Sequence, residues 1–322
     1  MKAIRFEKTG GPDVLSYRDY DLPAPPPGQV RVRHRAIGVN FIDIYHRSGL
    51  YPVPLPSGLG SEAAGVIEAL GEGVTGFKMG DRVGYSGGVL GAYAEANNVP
   101  ADKLIRIPDG VSDEIAAAAL LKGMTAQYLL KRTYAVKRGE TILFHSAAGG
   151  VGSIACQWAA HLGATVIGTV GSQAKLEPAR AAGCAHVLLL NEDWSKKVRE
   201  LTAGAGVPVV YDSIGKDTFE GSLNCLSTRG LMVSFGNSSG PVTPFPLGIL
   251  ASKGSLYLTR PTLGNYTRSA QETQETANDL FAVIASGAVK IAVNQRFALQ
   301  DAAKAHEALA GRKTTGATIL VP

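Results

Sequence analysis

The chain has 322 residues, of which 45% are hydrophobic and 18% are charged. This much apolar sequence can form two hydrophobic cores, and it excludes an intrinsically disordered chain. The net charge of +5 is modest and no Lys/Arg-rich run concentrates it, so the composition argues against a nucleic-acid-binding protein.

The N-terminal segment and the cysteines indicate the compartment in which the protein resides. MKAIRFEKTGG alternates charged and apolar residues and lacks the apolar core of a signal peptide. No stretch supplies the roughly 20 unbroken apolar residues that would span a bilayer. Cys156, Cys184 and Cys225 are far apart in apolar surroundings, which predicts buried, reduced thiols. We therefore expect a cytoplasmic protein with no membrane insertion.

The first third of the chain has the pattern of an antiparallel β domain. Short apolar or alternating runs lie between glycine and proline turns: QVRVRHRAIGVN, AAGVIEALG and DRVGYSG. The pattern then changes to a helix, in GVSDEIAAAALLKGMTAQYLLKR. Ser112 is its predicted N-cap, and Asp113 and Glu114 suit the positive end of the helix dipole.

From Glu140 onward, short apolar runs alternate with helical stretches. The runs are TILFHSA, TVIGTV, HVLLL, VPVVYDSIG, GLMVSFG and SLYLTR. Such a pattern predicts an α/β fold with a parallel sheet buried on both faces, and six strands make a doubly wound Rossmann domain. The tail returns to helix and ends in the strand-like ATILVP, which we expect to fold back onto the N-terminal domain. The predicted domains are residues 1–122 with 263–322, mostly antiparallel β, and residues 123–262, the Rossmann domain.

A glycine-rich loop follows the first Rossmann strand. Residues 147–152 read AAGGVG, the G-x-G-x-x-G fingerprint of dinucleotide-binding loops with Ala147 in place of the first glycine. Between a strand and a helix, these glycines let the backbone approach a pyrophosphate, which then lies at the helix N-terminus. The predicted cofactor contacts in this loop are Ala148, Gly149, Gly150, Val151 and Gly152.

The end of the next strand indicates which dinucleotide binds. The segment TVGSQAK carries Gly171, Ser172 and Lys175 and has no acidic residue. NAD enzymes place a carboxylate about 20 residues after the loop, where it accepts hydrogen bonds from the ribose. A hydroxyl and an ammonium would instead attract a 2′-phosphate. The sequence therefore favours NADPH over NADH.

One segment resembles a zinc-dependent alcohol dehydrogenase but departs from it at the metal. GLGSEAAGVIEALGEGV is similar to the glycine-rich turn in which a histidine precedes the glutamate, but Ser61 stands at the histidine position. Catalytic zinc needs three protein ligands, usually Cys, His or acidic residues. No cysteine lies in the first 155 residues, and Asn40 is not a usual ligand. His34, His46 and Glu62 remain, but the two histidines are 12 residues apart and lack a motif. We therefore expect no metal site.

Without a metal, the range of feasible reactions is narrower. Oxidation of a simple alcohol is difficult without a Lewis acid, whereas quinones and α,β-unsaturated carbonyls accept a hydride with hydrogen-bond help alone. The residues left in this region are polar or aromatic, and they are the candidate catalytic residues: Asn40, Asp43, Tyr45 and Tyr51. Structural alternatives stay open for three of them, because the tyrosines could be half-buried packing residues and Asp43 a turn residue.

Seven strings between residues 38 and 261 resemble the NADPH:quinone oxidoreductases, the zeta-crystallin-like, zinc-free branch of the medium-chain dehydrogenase/reductase superfamily. They are GVNFIDIYHRSGLYP, LPSGLGSEAAGVI, LLKGMTAQYLL, HSAAGGVGSIACQWA, YDSIG, GLMVSFGNSSG and GSLYLTRP. The resemblance covers essentially the whole chain, and bacterial enzymes are especially similar. It implies that the β domain is GroES-like and that the reaction passes reducing equivalents from NADPH to a quinone.

The resemblance also implies roles near the nicotinamide. Asn40 and Thr125 would contact the nicotinamide and its ribose. Tyr45 and Tyr51 would line the quinone pocket, where one of them, or water, supplies a proton. The other contacts at this end of the cofactor would come from residues that follow two Rossmann strands: Ser213, Phe235, Gly236 and Asn237.

At the phosphate end, the resemblance implies that Tyr128 approaches the diphosphate and that Lys175 binds the 2′-phosphate with help from Arg312. Two departures from the family weaken the expected preference for NADPH. Leu190 stands where relatives often carry a tyrosine that adds to the 2′-phosphate site. Pro178 is expected to interrupt or bend the helix that carries Lys175.

Alternatives to a quinone reductase remain at this stage. An NADPH-dependent enone or alkenal reductase on the same scaffold would use the same residues. RNA binding or a structural, crystallin-like role is a minor alternative, since no stripe of aromatic and basic residues is evident. The last Rossmann strand, about residues 255–261, would be an open sheet edge, which with the resemblance predicts a homodimer. We expect Trp158 to be a core residue and His145 a buried histidine with hydrogen-bond partners.

Overall fold

Sixteen β-strands and nine α-helices, numbered here in chain order, make up the fold in a computed structural model that describes all 322 residues. The chain divides into a first unit, residues 1–124, 266–285 and 291–322, and a second unit, residues 125–265 and 286–290. None of the helices is both long and apolar enough to cross a lipid bilayer.

The strands of the first unit are β1 (Lys2–Phe6), β2 (Ser16–Asp19), β3 (Gln29–Val39), β4 (Ser57–Gly58), β5 (Glu62–Leu70), β6 (Arg82–Ser86), β7 (Ala96–Pro100), β8 (Ile105–Arg106), β15 (Val293–Ala298) and β16 (Ala317–Val321). Those of the second unit are β9 (Thr141–Phe144), β10 (Thr165–Val170), β11 (His186–Leu189), β12 (Val207–Asp212), β13 (Leu226–Ser234) and β14 (Tyr257–Thr259). The helices are α1 (Phe41–Ser48), α2 (Asp113–Tyr128), α3 (Gly150–His161), α4 (Leu176–Ala181), α5 (Trp194–Leu201), α6 (Phe219–Cys225), α7 (Gly248–Ser252), α8 (Ala270–Ala285) and α9 (Ala302–Ala310).

The first unit contains a seven-stranded and a three-stranded sheet. The larger runs β15-β16-β3-β5-β6-β8, with β7 also pairing with β3, and only the β15–β16 pair is parallel. Strand β3 shows how one face of the sheet comes to form the core. Its alternate residues Val30, Val32 and His34 are buried, whereas Arg33 and Arg35, on the opposite face, are exposed. The mostly antiparallel sheet predicted from the sequence is confirmed.

The first helix after these strands begins where its cap predicts. The Ser112 hydroxyl accepts a hydrogen bond from the Ile115 backbone N–H over 3.2 Å, and α2 starts at Asp113. The Ser112 cap therefore satisfies one of the backbone donors that the first turn of a helix leaves without a partner.

The second unit contains a six-stranded, fully parallel sheet in the order β11-β10-β9-β12-β13-β14. This is the doubly wound order of a Rossmann fold, as predicted. From β9 the strand order runs outward on one side to β10 and β11, and on the other side to β12, β13 and β14. The carboxyl ends of β9 and β12, where the order switches, form the usual ligand-binding edge of such sheets. Trp158 on α3 is buried in this unit, as expected.

Pro178 does not interrupt a helix that carries Lys175, so this prediction is corrected. Lys175 ends a short 3₁₀ turn, Gln173–Lys175, and α4 begins after it at Leu176. Pro178 therefore lies in the first turn of α4, where a backbone N–H has no partner within the helix to lose. The proline restricts the backbone here at no cost in helical hydrogen bonds.

Candidate active site

Asn40 lies in the first unit at the junction between strand β3 and helix α1. Its backbone is extended, with φ −136° and ψ 155°, and the helix starts at the next residue. The Asp43 carboxylate, in the first turn, accepts a hydrogen bond from the Asn40 backbone N–H (N···Oδ2 2.8 Å). This contact closes the start of the helix in the manner of a capping box, so the backbone of Asn40 is fixed.

Asp43 ends a buried chain of hydrogen bonds. The Tyr93 hydroxyl donates to Asp43 Oδ2 over 2.9 Å and lies 3.0 Å from His306 Nε2, and an Arg47 N–H lies 3.2 Å from His306 Nδ1. Arginine can only donate, so Nδ1 of His306 accepts and Nε2 carries the proton. The direction of donation then runs from Arg47 through His306 and Tyr93 to Asp43.

Burial sets the protonation states along this chain. It raises the pKa of Asp43 to about 7, although the hydrogen bonds from Asn40 and Tyr93 oppose the shift. Burial, and after it the positive charge of Arg47, lowers the pKa of His306 to about 3. Burial also holds the pKa of Tyr93 well above its usual value. A neutral His306 agrees with its acceptance of a hydrogen bond from Arg47.

The side chain of Asn40 is held by a second buried carboxylate. Glu62, the first residue of β5, is fully buried and accepts a hydrogen bond from Asn40 Nδ2 over 2.7 Å. It also accepts from the Leu121 backbone N–H (2.6 Å) and the Lys122 ammonium (3.2 Å), both on α2. The neighbouring Ser61 hydroxyl is buried without a hydrogen-bond partner. Glu62 and Lys122 were not among the predicted site residues.

These residues do not fit a zinc site. Zinc takes thiolate, imidazole and carboxylate ligands, whereas an amide, a backbone N–H and an ammonium surround the Glu62 carboxylate. Across the structure, no group of three or more His, Cys, Asp or Glu side chains lies close enough together to share a metal ion. The Lys122 ammonium, 3.2 Å from the carboxylate, would repel a metal cation at this place.

The two candidate tyrosines lie together beside the end of α1. The Tyr45 and Tyr51 rings meet edge to face with centroids 5.1 Å apart, and Phe41 packs 6.2 Å from Tyr45. Tyr45 is buried, Tyr51 is half-buried, and the Tyr51 N–H donates to the Tyr45 carbonyl over 3.0 Å. His46 lies 6.1 Å from Tyr51, and its Nδ1 is buried without a hydrogen-bond partner. The structure thus brings Tyr45 and Tyr51 together, five and eleven residues after Asn40 in the chain.

In the second unit, the glycine loop connects β9 to α3 as predicted. Gly149 is the N-cap of α3, and the backbone N–H groups of the residues after it lack partners within the helix, which makes this end suited to a phosphate. Gly152 is required by close approach, because a Cβ there would lie 2.2 Å from the Ser146 carbonyl oxygen. Ser146 has the left-handed conformation, φ 56°, while Ala147 does not, which explains why alanine is tolerated at the first glycine position.

A buried polar network joins the carboxyl ends of three neighbouring strands beneath this loop. His145 Nδ1 lies 2.7 Å from the Thr169 hydroxyl, and its Nε2 lies 2.9 Å from Ser222 Oγ. The Ser222 hydroxyl donates to Asp212 over 2.9 Å, and Asp212 also accepts from Thr218. His145 is therefore a buried histidine with partners at both nitrogens, as predicted, and burial lowers its pKa.

The segment after β13 holds three of the predicted contacts for the nicotinamide end. The Phe235 ring packs 5.7 Å from Phe144, and a Cβ on Gly236 would lie 2.4 Å from the Ser213 carbonyl oxygen, so Gly236 and Ser213 pack directly together. Arg260, just after β14, donates to Gly236 O over 2.8 Å.

Arg260 also orients Asn237. With the amide in the orientation that satisfies both of its groups, Asn237 Oδ1 accepts from Arg260 over 3.0 Å and its Nδ2 donates to Gly236 O over 2.9 Å. Sequence reasoning missed Arg260, although an arginine directly after a buried strand was a detectable signal. It fixes the segment that carries Phe235, Gly236 and Asn237.

The remaining predicted cofactor contacts lie in three parts of the chain. Gly171 and Ser172 follow β10 directly and are exposed, Lys175 follows in the 3₁₀ turn, and the strand end carries no carboxylate. Leu190 packs on the core of the second unit. Thr125 and Tyr128 lie in the last turn of α2 and belong to the second unit, whereas Arg312 belongs to the first. The joint role of Lys175 and Arg312 stays a prediction.

Comparison with known proteins agrees with this architecture. Residues 26–109 match the model of the alcohol dehydrogenase GroES-like domain, and residues 150–282 match that of the zinc-binding dehydrogenases. With the parallel sheet and its glycine loop, these matches define an oxidoreductase of the medium-chain dehydrogenase/reductase superfamily, although the residues at the metal position of this chain do not fit zinc.

The relatives define the family within that class. A quinone oxidoreductase of Pseudomonas aeruginosa is 57% identical, with 100% of this chain and 99% of the relative covered. The crystal structure of an Escherichia coli quinone oxidoreductase complexed with NADPH is 52% identical, covers 100% of both chains and superposes with a TM-score of 0.98. A 2-haloacrylate reductase of a Burkholderia species is 46% identical over 100% of this chain and 99% of its own. The chain belongs to the quinone oxidoreductase family.

Proposed function

We propose that the protein is an NADPH-dependent quinone reductase that passes reducing equivalents from NADPH to a quinone without a metal. The observation that carries the proposal is the polar cluster at Asn40, where an amide, a carboxylate and an ammonium lie together and no three metal-ligating side chains meet. Such a site cannot polarise an alcohol as a Lewis acid does, so it suits acceptors that are already electron-poor. The names of the 57% and 52% identical relatives support the same acceptor class.

The residues of the second unit fit a bound NADPH. Bound NADPH supplies a hydride to the acceptor. The N-terminus of α3 offers backbone N–H groups to the pyrophosphate, and Gly152 keeps the loop close enough for that contact. Ser172 and Lys175 offer a hydroxyl and an ammonium to the 2′-phosphate, with no acidic residue opposing them. The Arg260-held segment at Phe235 and Asn237 would hold the carboxamide.

The residues of the first unit would act on the acceptor. Asn40, fixed at its backbone and its amide, would orient the reacting groups, an effect worth up to about 7–11 kcal/mol in favourable cases. When a quinone takes up a hydride it becomes a hydroquinone anion, which needs one proton. The Tyr51 or Tyr45 hydroxyl, or water, would supply it. Asp43, fully buried and bound to Asn40 and Tyr93, would position Asn40 and would not meet the acceptor.

A second candidate function is reduction of an electron-poor carbon–carbon double bond. The observation that favours it is the 46% identity to a 2-haloacrylate reductase over the full chain. A quinone and an activated double bond both accept a hydride at an electron-poor carbon, so one site could serve both. The relative rates with the two acceptors decide between them.

The Tyr51→Phe variant tests the role of the tyrosine pair. If Tyr51 supplies the proton, the change lowers kcat for 1,4-benzoquinone reduction by at least about tenfold, because general acid catalysis contributes roughly 10²–10⁴-fold. The measurement is NADPH oxidation at saturating quinone, with Tyr45→Phe alongside. Tyr17→Phe, at an exposed tyrosine of the same unit, is the matched control. An unchanged rate in Tyr51→Phe and Tyr45→Phe would leave water as the proton source.

We also propose a cytoplasmic location and a homodimer that joins through β14. The three buried, free thiols support a reducing compartment. Strand β14 pairs on one side only and ends the six-stranded sheet, and open edges of this kind favour pairing with another chain.

A further inference from the structure

We propose that Glu62 and Lys122 form a buried positioning pair for Asn40, in which Glu62 orients the Asn40 amide and Lys122 is the counter-ion of Glu62. The inference rests on the proposed role of Asn40 at the nicotinamide, and it extends that role to two residues that never touch the substrate.

Glu62 is built into the fold as a hydrogen-bond acceptor. Its carboxylate is fully buried and receives three donors from two elements: Asn40 Nδ2, the Leu121 backbone N–H and the Lys122 ammonium. A buried carboxylate is costly unless it is both paired and hydrogen-bonded, and here both conditions are met. The neighbouring strand leaves room for the carboxylate through Gly38, where a Cβ would lie 2.0 Å from Glu62 Oε2.

Glu62 determines which end of the Asn40 side-chain amide points towards it. An ionised carboxylate can only accept, so the Asn40 amide must direct its NH₂ group, and not its oxygen, towards Glu62. The backbone of the same residue is held by Asp43. Asn40 is therefore held at its backbone N–H by Asp43 and at its side-chain NH₂ by Glu62, and its amide oxygen is turned away from Glu62.

Lys122 supplies the charge that this arrangement needs. It is 6% exposed, and its ammonium lies 3.2 Å from Glu62 Oε2. Without it, Glu62 would be a buried charge with no counter-ion, which is strongly destabilising.

A double-mutant cycle between Asn40→Ala and Glu62→Gln tests the proposal. Glutamine keeps the shape but offers one acceptor oxygen to three donors, so we expect Glu62→Gln to lower kcat for 1,4-benzoquinone reduction with NADPH by about 10- to 100-fold. If Glu62 acts through Asn40, the same change on the Asn40→Ala background causes no further loss. The matched control is Glu68→Gln, the same substitution at a half-buried glutamate on the same strand, which leaves kcat unchanged.

Thermal unfolding separates positioning from folding. Lys122→Met alone should lower the melting temperature more than the double variant Glu62→Gln/Lys122→Met, because only the single change leaves an unpaired buried charge. All rates are measured well below the lowest melting temperature.

Two outcomes would refute the positioning role of Glu62 and Lys122, and a third would refute the proposed role of Asn40. Wild-type kcat in Glu62→Gln, or an equal loss in the presence and absence of Asn40, would show that Glu62 does not act through Asn40. Wild-type activity in Asn40→Ala would instead remove the proposed role of Asn40 itself, and the pair with it.

Discussion

At the scale of single residues, the site depends on two buried carboxyl groups, those of Asp43 and Glu62. All but one of their four oxygen atoms accept a hydrogen bond. Asp43 is the exception, since its Oδ2 accepts from Asn40 and Tyr93 while its Oδ1 is buried with no partner. An ionised carboxylate in that position is costly, and this explains why burial outweighs the hydrogen bonds in setting its pKa. The proton on Asp43 should therefore be visible in the stability of the protein.

The stability of the folded protein should fall with rising pH because of Asp43. Its pKa is raised from 3.8 to about 7, so the folded state holds a proton that the unfolded chain has lost. Across this range the unfolding free energy attributable to Asp43 decreases by up to about 1.4 kcal/mol per pH unit, a few kcal/mol in all, and it levels off above about pH 7.

Urea unfolding of the wild type and Asp43→Asn between pH 4 and 8 measures this effect. Taking the difference between the two curves removes the contribution of groups common to both, such as His34, whose pKa burial lowers to about 4. The predicted difference declines from pH 4 to pH 7. A difference that is flat over this range would show that Asp43 is ionised throughout.

At the scale of elements, the sequence predicted most of what is local and little of what is long-range. The glycine loop, the Ser112 cap and the six apolar strands each lie within a short run of residues, and the structure has them. Glu62 meets Lys122 across 60 residues, and Tyr93 meets His306 across 213. The hydrophobic periodicity of the sequence does not predict such contacts, because they depend on how strands and helices pack against one another.

The same distinction explains the error at Pro178. A proline inside a helix bends it, but the same residue in the first turn is tolerated. The sequence placed Lys175 and Pro178 in one helix, whereas the structure starts α4 one residue after Lys175. Boundaries that shift by a few residues decide such cases.

The packing of α3 against its loop should be sensitive to a single methyl group. In Gly152→Ala the new Cβ would lie 2.2 Å from the Ser146 oxygen and 2.8 Å from the Ala147 Cα, both backbone atoms that cannot turn aside. We expect the loop to shift and the Kd for NADPH to rise about tenfold, equivalent to about 1.4 kcal/mol. Calorimetric titration measures this, with Gly248→Ala, where no atom lies within 4 Å, as control. An unchanged Kd would mean that the loop does not hold the pyrophosphate.

Strand β14 should determine the oligomeric state. Tyr257, on this edge strand, is 62% exposed, and we expect it to be covered in the homodimer. Tyr257→Asp would place a charge there, so light scattering at micromolar concentration should give the mass of two chains for the wild type and of one chain for the variant. Met79→Asp changes an equally exposed apolar residue of the first unit and should remain dimeric. A monomeric wild type would contradict the proposed dimer.

At the scale of the whole molecule, two units with different roles account for the chemistry. The second unit carries the glycine loop and the residues proposed to bind the adenosine end of NADPH, and the first carries the Asn40 cluster and the tyrosine pair. Family membership was predictable from the sequence because its strings run through both units. The contact of Lys122 with Glu62 was not predictable, since it depends on the packing of β5 against α2.

The most direct test of a metal-free quinone reductase is the rate of NADPH oxidation with 1,4-benzoquinone. The rate is corrected for the uncatalysed reaction and measured again with a chelator. Parallel reactions replace NADPH by NADH and the quinone by an α,β-unsaturated ketone. For a metal-free, NADPH-dependent quinone reductase we expect rapid quinone reduction that the chelator does not change and that NADPH supports better than NADH. Loss of activity with the chelator, or turnover of the ketone alone, would contradict a metal-free quinone reductase.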